Sequence, residues 1–207
     1  MHPNPAFRQT PDPRNLAFAR ERGFGTLALN ANGGPLLSHV PFLLSEDGTV
    51  AELHMVRSNP ILRLLDKPHE AVISIWGPDS YVSPDWYRGE NQVPTWNYVA
   101  VHLRGLLHRL PQEDLEPMLA RLSAYFEAKM APKTPWTMDK MDDDALQRML
   151  RMIVPCRFEV SSSEGTWKLG QNKPEAARLN AAEQLGQNGI GMEIAHLAEL
   201  MRLGSAD

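Results

Sequence analysis

Residues 98–110 read YVAVHLRGLLHRL, and this stretch decides the class of fold. The residues of one phase are apolar and those of the other are mostly polar: Val99, Val101, Leu103 and Leu107 against His102, Arg104 and His108. Such alternation predicts a β-strand with one buried face. The strands of a parallel Rossmann sheet are buried on both faces and read as continuous apolar runs. We therefore expect an antiparallel sheet and exclude a Rossmann fold.

Further strand patterns lie on both sides of this stretch. They are Phe24 to Leu29, Leu36 to Leu44, Val50 to Val56, Ala71 to Trp76, Cys156 to Ser161 and Trp167 to Leu169. Turn residues separate them, with Asn32-Gly33-Gly34 predicting a hairpin and Ser163-Glu164-Gly165 predicting a late turn. Six or seven short strands with peripheral helices predict a mainly β (α+β) protein, built as an antiparallel closed or split β-barrel.

Helical spacing is confined to segments outside these strands. The predicted helices are 14–22, 61–67, 112–129, 144–152, 174–185 and 192–203. We expect a barrel domain over residues 1–170, with helices inserted at 111–152, and a C-terminal helical extension over 171–207. Residues 1–13 contain four prolines and predict an extended arm, a type of segment that often reaches a partner subunit. Residues 77–97 predict a long ordered loop.

Composition limits the classes of function. The chain has 207 residues, a formal net charge of -4 and a single cysteine, Cys156. These values give no general attraction to nucleic acid or anionic lipid and allow no intrachain disulfide. No apolar run reaches the roughly 20 residues of a membrane span, and the amino end does not resemble a signal peptide. We expect a soluble cytoplasmic protein.

The segment HMVRSNP, residues 54–60, is the first candidate site. Asn59 and Pro60 are typical of a helix start, and Arg57 and Ser58 come directly before them. The amide groups of a helix start, a guanidinium and a hydroxyl together predict a site for phosphate. An ordinary capped helix beside an exposed arginine remains the alternative.

Two other segments carry residues that could hold a planar polar ligand such as a flavin. The first, LGQNKP, contains Gln171, Asn172 and Lys173 and follows Lys168. The second brings Trp96 and Asn97 together at the start of a strand. Hydroxyl, amide and aromatic groups in one run suit such a ligand. The alternatives are a solvated surface for the lysines and core packing for the tryptophan.

The histidines and the cysteine support weaker hypotheses. His39, His54, His102 and His108 all fall in predicted strands and could meet as metal or haem ligands. Their spacing matches no metal motif, so we expect no metal site, while ligation of haem by one histidine stays open. Cys156 alternates with apolar residues and is expected to be a core thiol. No catalytic residue is assigned, and a hydrolase is excluded because no nucleophile motif is present.

Five segments in this order resemble the PaiB family of FMN-binding split-barrel proteins. They are SHVPFLL (38–44), HMVRSNP (54–60), WGPDSYVSPDWY (76–87), VPTWNYVAVHLRG (93–105) and KLGQNK (168–173). The resemblance covers residues 3 to about 185. It implies a homodimer related to pyridoxamine-phosphate-oxidase-like flavoproteins, with FMN bound noncovalently at the dimer interface.

The resemblance also implies roles for individual residues. Arg57, Ser58 and Asn59 would bind the phosphate of FMN. The candidates for the ring end or the interface are His39, Trp96, Asn97, Lys168, Gln171 and Asn172. The chain departs from the expected pattern in its acidic stretch 138–147 and in RGENQ, residues 88–92, which leaves the substrate open.

Two functions follow from the resemblance. The first is a flavin-dependent oxidoreductase with a nicotinamide electron donor. The second is a non-enzymatic regulator or sensor that holds flavin or haem, since the family carries the label of a negative regulator of protease synthesis and sporulation. We do not expect direct binding to nucleic acid, because the net charge is negative and no helix-turn-helix with a basic second helix is present.

Overall fold

A computed structural model of the chain describes residues 1–204, which form seven strands and five α-helices. The strands are β1 (Phe24–Ala31), β2 (Gly34–Leu44), β3 (Val50–Val56), β4 (His69–Val82), β5 (Thr95–Arg109), β6 (Ile153–Lys168) and β7 (Gly191–Met192). The α-helices are α1 (Asp12–Arg22), α2 (Leu115–Ala128), α3 (Asp143–Leu150), α4 (Glu175–Asn188) and α5 (Ile194–Leu203).

Hydrogen bonding joins six of these strands into a closed ring within the described residues. The order is β1-β2-β3-β6-β5-β4, and β1 also pairs with β4, as in the antiparallel register of Leu27 with Ile73. The seventh strand, β7, pairs with the outer part of β4. The predicted antiparallel barrel is confirmed.

The chain divides into two compact units. Unit 1 contains residues 1–17, residues 75–102 and the chain from Ser163 onward. Unit 2 contains residues 18–74 and 103–162. The three longest strands, β4, β5 and β6, each pass from one unit into the other.

The core of unit 2 is formed by the inward-facing residues of its strands. Alternation is regular, so that Gly25, Leu27 and Leu29 of β1 are buried while the residues between them are not. The largest fully buried side chains in this unit include Leu27, Leu29, Phe42, Leu53, Ile73, Leu103, Leu107 and Phe158. The alternation read in residues 98–110 is therefore a true strand pattern.

Gly105 marks a close approach between β5 and β6 in unit 2. A Cβ placed on Gly105 would lie 1.9 Å from the backbone oxygen of Glu159 and 3.1 Å from the Phe158 ring. Real Cβ atoms do not tolerate the first distance, and a backbone oxygen in a strand cannot move aside alone. Only glycine can occupy this position without moving a strand.

Cys156 lies in the core of unit 2 with no exposed surface. Burial raises the pKa of its thiol to about 12. We expect the native thiol to resist thiol reagents at pH 8 and to react fully in denaturant, which absorbance after addition of a disulfide reagent would show. Rapid labelling of the native protein would contradict the burial.

The same shift predicts a loss of stability at alkaline pH. The unfolded thiol ionises near its ordinary pKa of about 8.5, whereas the folded thiol does not. Protons are therefore released on unfolding, and the free energy of unfolding falls as pH rises from about 9 towards the folded pKa. Comparison with Cys156→Ser in denaturant titrations isolates this contribution.

Two sequence-based expectations were wrong in part. The turn expected at residues 163–165 is absent from the described chain, because β6 runs without interruption from Ile153 to Lys168. Residues 77–97 are not one loop, since β4 continues to Val82 and a 3-10 helix follows at Pro84–Tyr87. The arm contacts its own chain, where the His2 amide donates to Thr166 Oγ1 at 3.2 Å, and its reach to a partner subunit stays a prediction.

Among residues 1–204, no helix is both long and apolar enough to span a membrane.

Candidate functional site

The predicted phosphate segment lies in unit 2, where β3 ends and a 3-10 helix (Pro60–Leu64) begins. Asn59 caps this helix, since its Oδ1 accepts a hydrogen bond from the Ile61 amide at 3.0 Å. Its Nδ2 donates to Ser38 Oγ at 3.0 Å. The cap is as predicted, but five residues of 3-10 helix carry too few aligned peptides for a strong dipole. Any anion here must depend on side chains.

The guanidinium of Arg57 is held by three acceptors of unit 2. Nε donates to the Arg151 carbonyl at 2.7 Å, and Nη2 donates to Gln112 Oε1 at 2.7 Å and to the Ile153 carbonyl at 3.1 Å. Within the described residues, these bonds leave Nη1 without a partner. Ser58 is exposed beside it. The arginine is thus fixed in orientation, with one nitrogen still able to donate.

His39 lies on the outer face of the β1–β2 hairpin. It sits opposite Thr26, and the Thr26 Oγ1 lies 3.0 Å from His39 Nδ1. The flanking pairs on the same face are apolar: Phe24 opposite Pro41, and Ala28 opposite Leu37. Phe24 is 56% exposed and Leu37 is 63% exposed. This outer face is an apolar surface with one polar pair at its centre.

Unit 1 contains a small cavity of about 200 Å³ that we call the lysine pocket. Its walls include Thr95, Lys168, Asn172 and Lys173, and no carboxylate lines it. The Lys168 ammonium donates to Thr95 Oγ1, and the Lys173 ammonium donates to Gln92 Oε1 at 2.6 Å. Burial, and then repulsion from Lys173, lower the pKa of Lys168. The pocket is electropositive and suits an anionic group.

The side chains of Gln171 and Asn97 form hydrogen bonds with other residues of unit 1. The Gln171 amide accepts from the Leu169 amide at 2.8 Å and donates to the carbonyls of Trp167 and Ala6. It therefore fastens the arm to the end of β6. Asn97 is 1% exposed and donates to Met201 Sδ at 3.4 Å. Asn97 lines the lysine pocket and Gln171 does not, and contacts of either residue with a ligand stay predictions.

Trp96 lies in a different cavity of unit 1, with a volume of about 710 Å³, which we call the aromatic cavity. Trp76, Tyr98 and His102 also line it, together with Asp79. The lysine pocket is lined by Thr95 and Asn97, whereas the aromatic cavity is lined by Trp96 and Tyr98. Because side chains alternate along a strand, the two cavities use opposite faces of β5.

The structure thus groups the predicted residues into three sets. Arg57, Ser58 and Asn59 follow one another at the end of β3, the lysine pocket is lined by Asn97, Lys168 and Asn172, and Trp96 lies in the aromatic cavity. His39 and Gln171 lie outside these three sets. Sequence reasoning did not assign Ser38, Trp76 or Asp79 to a site. These residues belong to the motifs SHVPFLL and WGPDSYVSPDWY. The motifs do not show how the strands pair, and the strand pairing determines where these side chains lie.

The strand histidines do not form a metal centre. Among residues 1–204, no group of three or more His, Cys, Asp or Glu side chains could hold a metal ion. His54 Nδ1 is buried without a hydrogen-bond partner in the described chain, and burial lowers the pKa of this histidine. His108 Nε2 lies 3.3 Å from Glu159 Oε2, at an angle that does not make a good hydrogen bond.

Comparison with known proteins gives the family. Residues 1–162 match the protein family described as "Putative FMN-binding domain". The Bacillus subtilis protein named "Protease synthase and sporulation protein PAI 2" is 32% identical over 186 residues, which is 89% of this chain and 88% of that protein. The chain belongs to this FMN-binding-domain family, as the resemblance to PaiB predicts.

Solved structures support the fold. An FAD- and haem-binding protein from Mycobacterium smegmatis has a TM-score of 0.58 at 18% identity, covering 89% of this chain and 82% of that one. The flavocytochrome Anf3 from Azotobacter vinelandii has a TM-score of 0.55 at 9% identity, covering 81% and 72%. At these identities the likeness establishes the split-barrel fold alone.

Proposed function

We propose that the chain binds FMN and acts as a flavin-dependent oxidoreductase. Membership in the FMN-binding-domain family is the observation that carries this proposal. Bound FMN supplies the redox chemistry, and the protein needs only to hold and orient it. Sequence analysis assigns no general acid or base, and a protein that holds and orients FMN does not need one.

The donor set at the end of β3 fits the phosphate of FMN. Arg57 Nη1 has no partner among residues 1–204, while the other guanidinium nitrogens are anchored. Ser58 adds an exposed hydroxyl, and Asn59 is fixed by Ser38. A guanidinium that is already oriented loses little side-chain entropy when it binds an anion. We assign the phosphate to these three residues.

Titration of flavin-free protein with FMN tests the proposal. We expect a shift of the flavin absorption bands that saturates at one FMN per chain. Under anaerobic conditions, NADH or NADPH should then reduce the bound flavin faster than it reduces FMN in buffer. Lack of any spectral change would contradict flavin binding, and reduction no faster than in buffer would contradict the oxidoreductase with these donors.

We propose further that two copies associate through the outer face of the β1–β2 hairpin. Phe24 and Leu37 are exposed there, and Val72 of β4 lies opposite Ala28 on the same face. A contiguous apolar face on a sheet is typical of an obligate interface.

Leu37→Arg tests this interface. A buried, unpaired guanidinium within this face should convert the dimer into a monomer at micromolar concentration, as measured by sedimentation equilibrium. Met149→Arg is the matched control, because Met149 is 57% exposed on α3 and should leave the assembly unchanged. A parent protein that is monomeric, or a Leu37→Arg dimer, would contradict the proposed face.

A regulatory role is the second candidate, and the name of the Bacillus subtilis relative, which refers to protease synthesis and sporulation, favours it. Regulation through direct DNA contact would require many cations facing phosphates, yet acidic residues outnumber basic ones by 25 to 21. We expect no sequence-selective shift of duplex DNA at about 150 mM salt, with non-specific affinity no tighter than about 10⁻⁴ to 10⁻⁶ M. Sub-micromolar selective binding would make regulation the direct function.

A further inference from the structure

The aromatic cavity has a composition unlike that of the other candidate surfaces. Two tryptophans line it, and both are well exposed within the protomer: Trp76 at 64% and Trp96 at 47%. Tyr98 and His102 add further rings. Its volume of about 710 Å³ falls within the range of roughly 300–1,000 Å³ for small-molecule sites. Such walls suit a flat ligand that can stack on indole.

Asp79 is the one acidic side chain among the residues that line the cavity. Its carboxylate makes no side-chain hydrogen bond or ion pair with any residue in the described chain, and neither lysine nor arginine lines the cavity. Gly77 and Pro78 are both buried, which breaks the alternation of β4. Trp76 and Asp79 can consequently line the same cavity although three positions separate them. An unpaired carboxylate beside indole faces attracts a cation.

The histidine at the rim does not supply a competing charge. His2 Nδ1 accepts a hydrogen bond from the Asn4 amide at 3.1 Å, which requires an unprotonated nitrogen. Burial, and then the nearby positive charges of Lys168 and of the amino terminus, lower the pKa of His2. His2 is therefore neutral near pH 7 and does not compete with Asp79, the acidic side chain that lines the cavity.

We propose that the aromatic cavity binds a planar organic cation of the N-alkylpyridinium class, with its ring on Trp76 and Trp96 and its charge facing Asp79. An N-substituted pyridinium is also the oxidised form of the nicotinamide ring. The site would thus hold the second reactant of the proposed redox reaction. It reassigns Trp96 from the flavin ring to that reactant.

Two probes of nearly equal size test the charge requirement. Flavin-free protein is titrated with 1-methylnicotinamide, which is a cation, and with nicotinamide, which is neutral, by isothermal calorimetry. We expect the cation to bind at least fivefold more tightly, at one site per chain. Equal affinities, or no heat from either probe at millimolar concentration, would overturn the proposal. Failure of FMN binding would leave this result unaffected, so the two proposals fail separately.

Variants identify the site. Asp79→Asn should bring the ratio of the two affinities close to one, and Trp76→Leu should weaken both probes at least threefold. Asp85→Asn is the matched control, because Asp85 is an exposed residue of the 3-10 helix at Pro84–Tyr87 and does not line the cavity. An unchanged ratio in Asp79→Asn, with circular dichroism like that of the parent, would overturn the assignment. Displacement of the cation by FMN would instead assign the cavity to the flavin.

Discussion

Gly105→Ala should destabilise the protein by about 3 kcal/mol or more. The added methyl would lie 1.9 Å from the Glu159 carbonyl oxygen, so β5 and β6 would have to separate. Separation would disturb the packing of Phe158, which is fully buried beside this contact. Urea denaturation followed by tryptophan fluorescence measures the loss, and insoluble expression would be its extreme form.

Gly89→Ala is the control for this prediction. A Cβ on Gly89 would meet its nearest neighbour, Gln92 Nε2, at 3.7 Å, an ordinary contact distance. We expect a change within about 0.5 kcal/mol. If Gly105→Ala proved as stable as Gly89→Ala, the close approach of the two strands would be wrong.

Arg57→Ala should weaken FMN binding by about 1.5–3 kcal/mol, the range for a hydrogen bond to a charged group. This corresponds to roughly a tenfold to 150-fold increase in the dissociation constant. The parent should bind FMN more tightly than riboflavin, which lacks the phosphate, and the variant should lose most of that preference. Fluorescence titration of flavin-free protein with each flavin gives the four constants.

A structural role of Arg57 must be separated from the phosphate contact. The side chain joins the end of β3 to the Arg151 and Ile153 carbonyls, so its removal also costs stability. Gln112→Ala removes another partner of Arg57 but no group proposed to touch phosphate, and it should retain the preference for FMN. If Arg57→Ala weakened the binding of FMN and of riboflavin equally, the assignment of Arg57 to the phosphate would be wrong.

Local sequence patterns were sufficient for the parts of the fold that depend on neighbouring residues. The hairpin of β1 and β2 follows from Asn32-Gly33 between two alternating runs, and Gly23 ends α1 with a positive φ of 56°. These signals are local because turn geometry and side-chain alternation act over a few residues. The order of the strands was not readable, since pairing is set by tertiary packing.

The late strand shows why one turn prediction failed. Ser163, Glu164 and Gly165 are typical turn residues, but a Cβ on Gly165 would lie 2.0 Å from Asn15 Oδ1. The glycine is present for close packing within a strand rather than for a bend. Sequence alone cannot distinguish these two uses of glycine, because the partner residue is about 150 positions away.

Sequence analysis predicted the motifs of the candidate site. It did not predict that their residues line separate cavities. Thr95 and Trp96 are adjacent in the chain, yet they line different cavities because successive side chains of β5 point to opposite faces. The roles of Gln171 and Asn97 were also hidden, since their partners, Ala6 and Met201, lie at distant positions.

The placement of these cavities on opposite faces of β5 has a consequence for encounter rates. Lys168 and Lys173 place ammonium groups at one cavity, and Asp79 places a carboxylate at the other. Charged molecules that diffuse towards unit 1 are therefore sorted by sign before any specific contact forms. Added salt should slow the arrival of anions at one face and of cations at the other, while neutral molecules of the same shape arrive at unchanged rates.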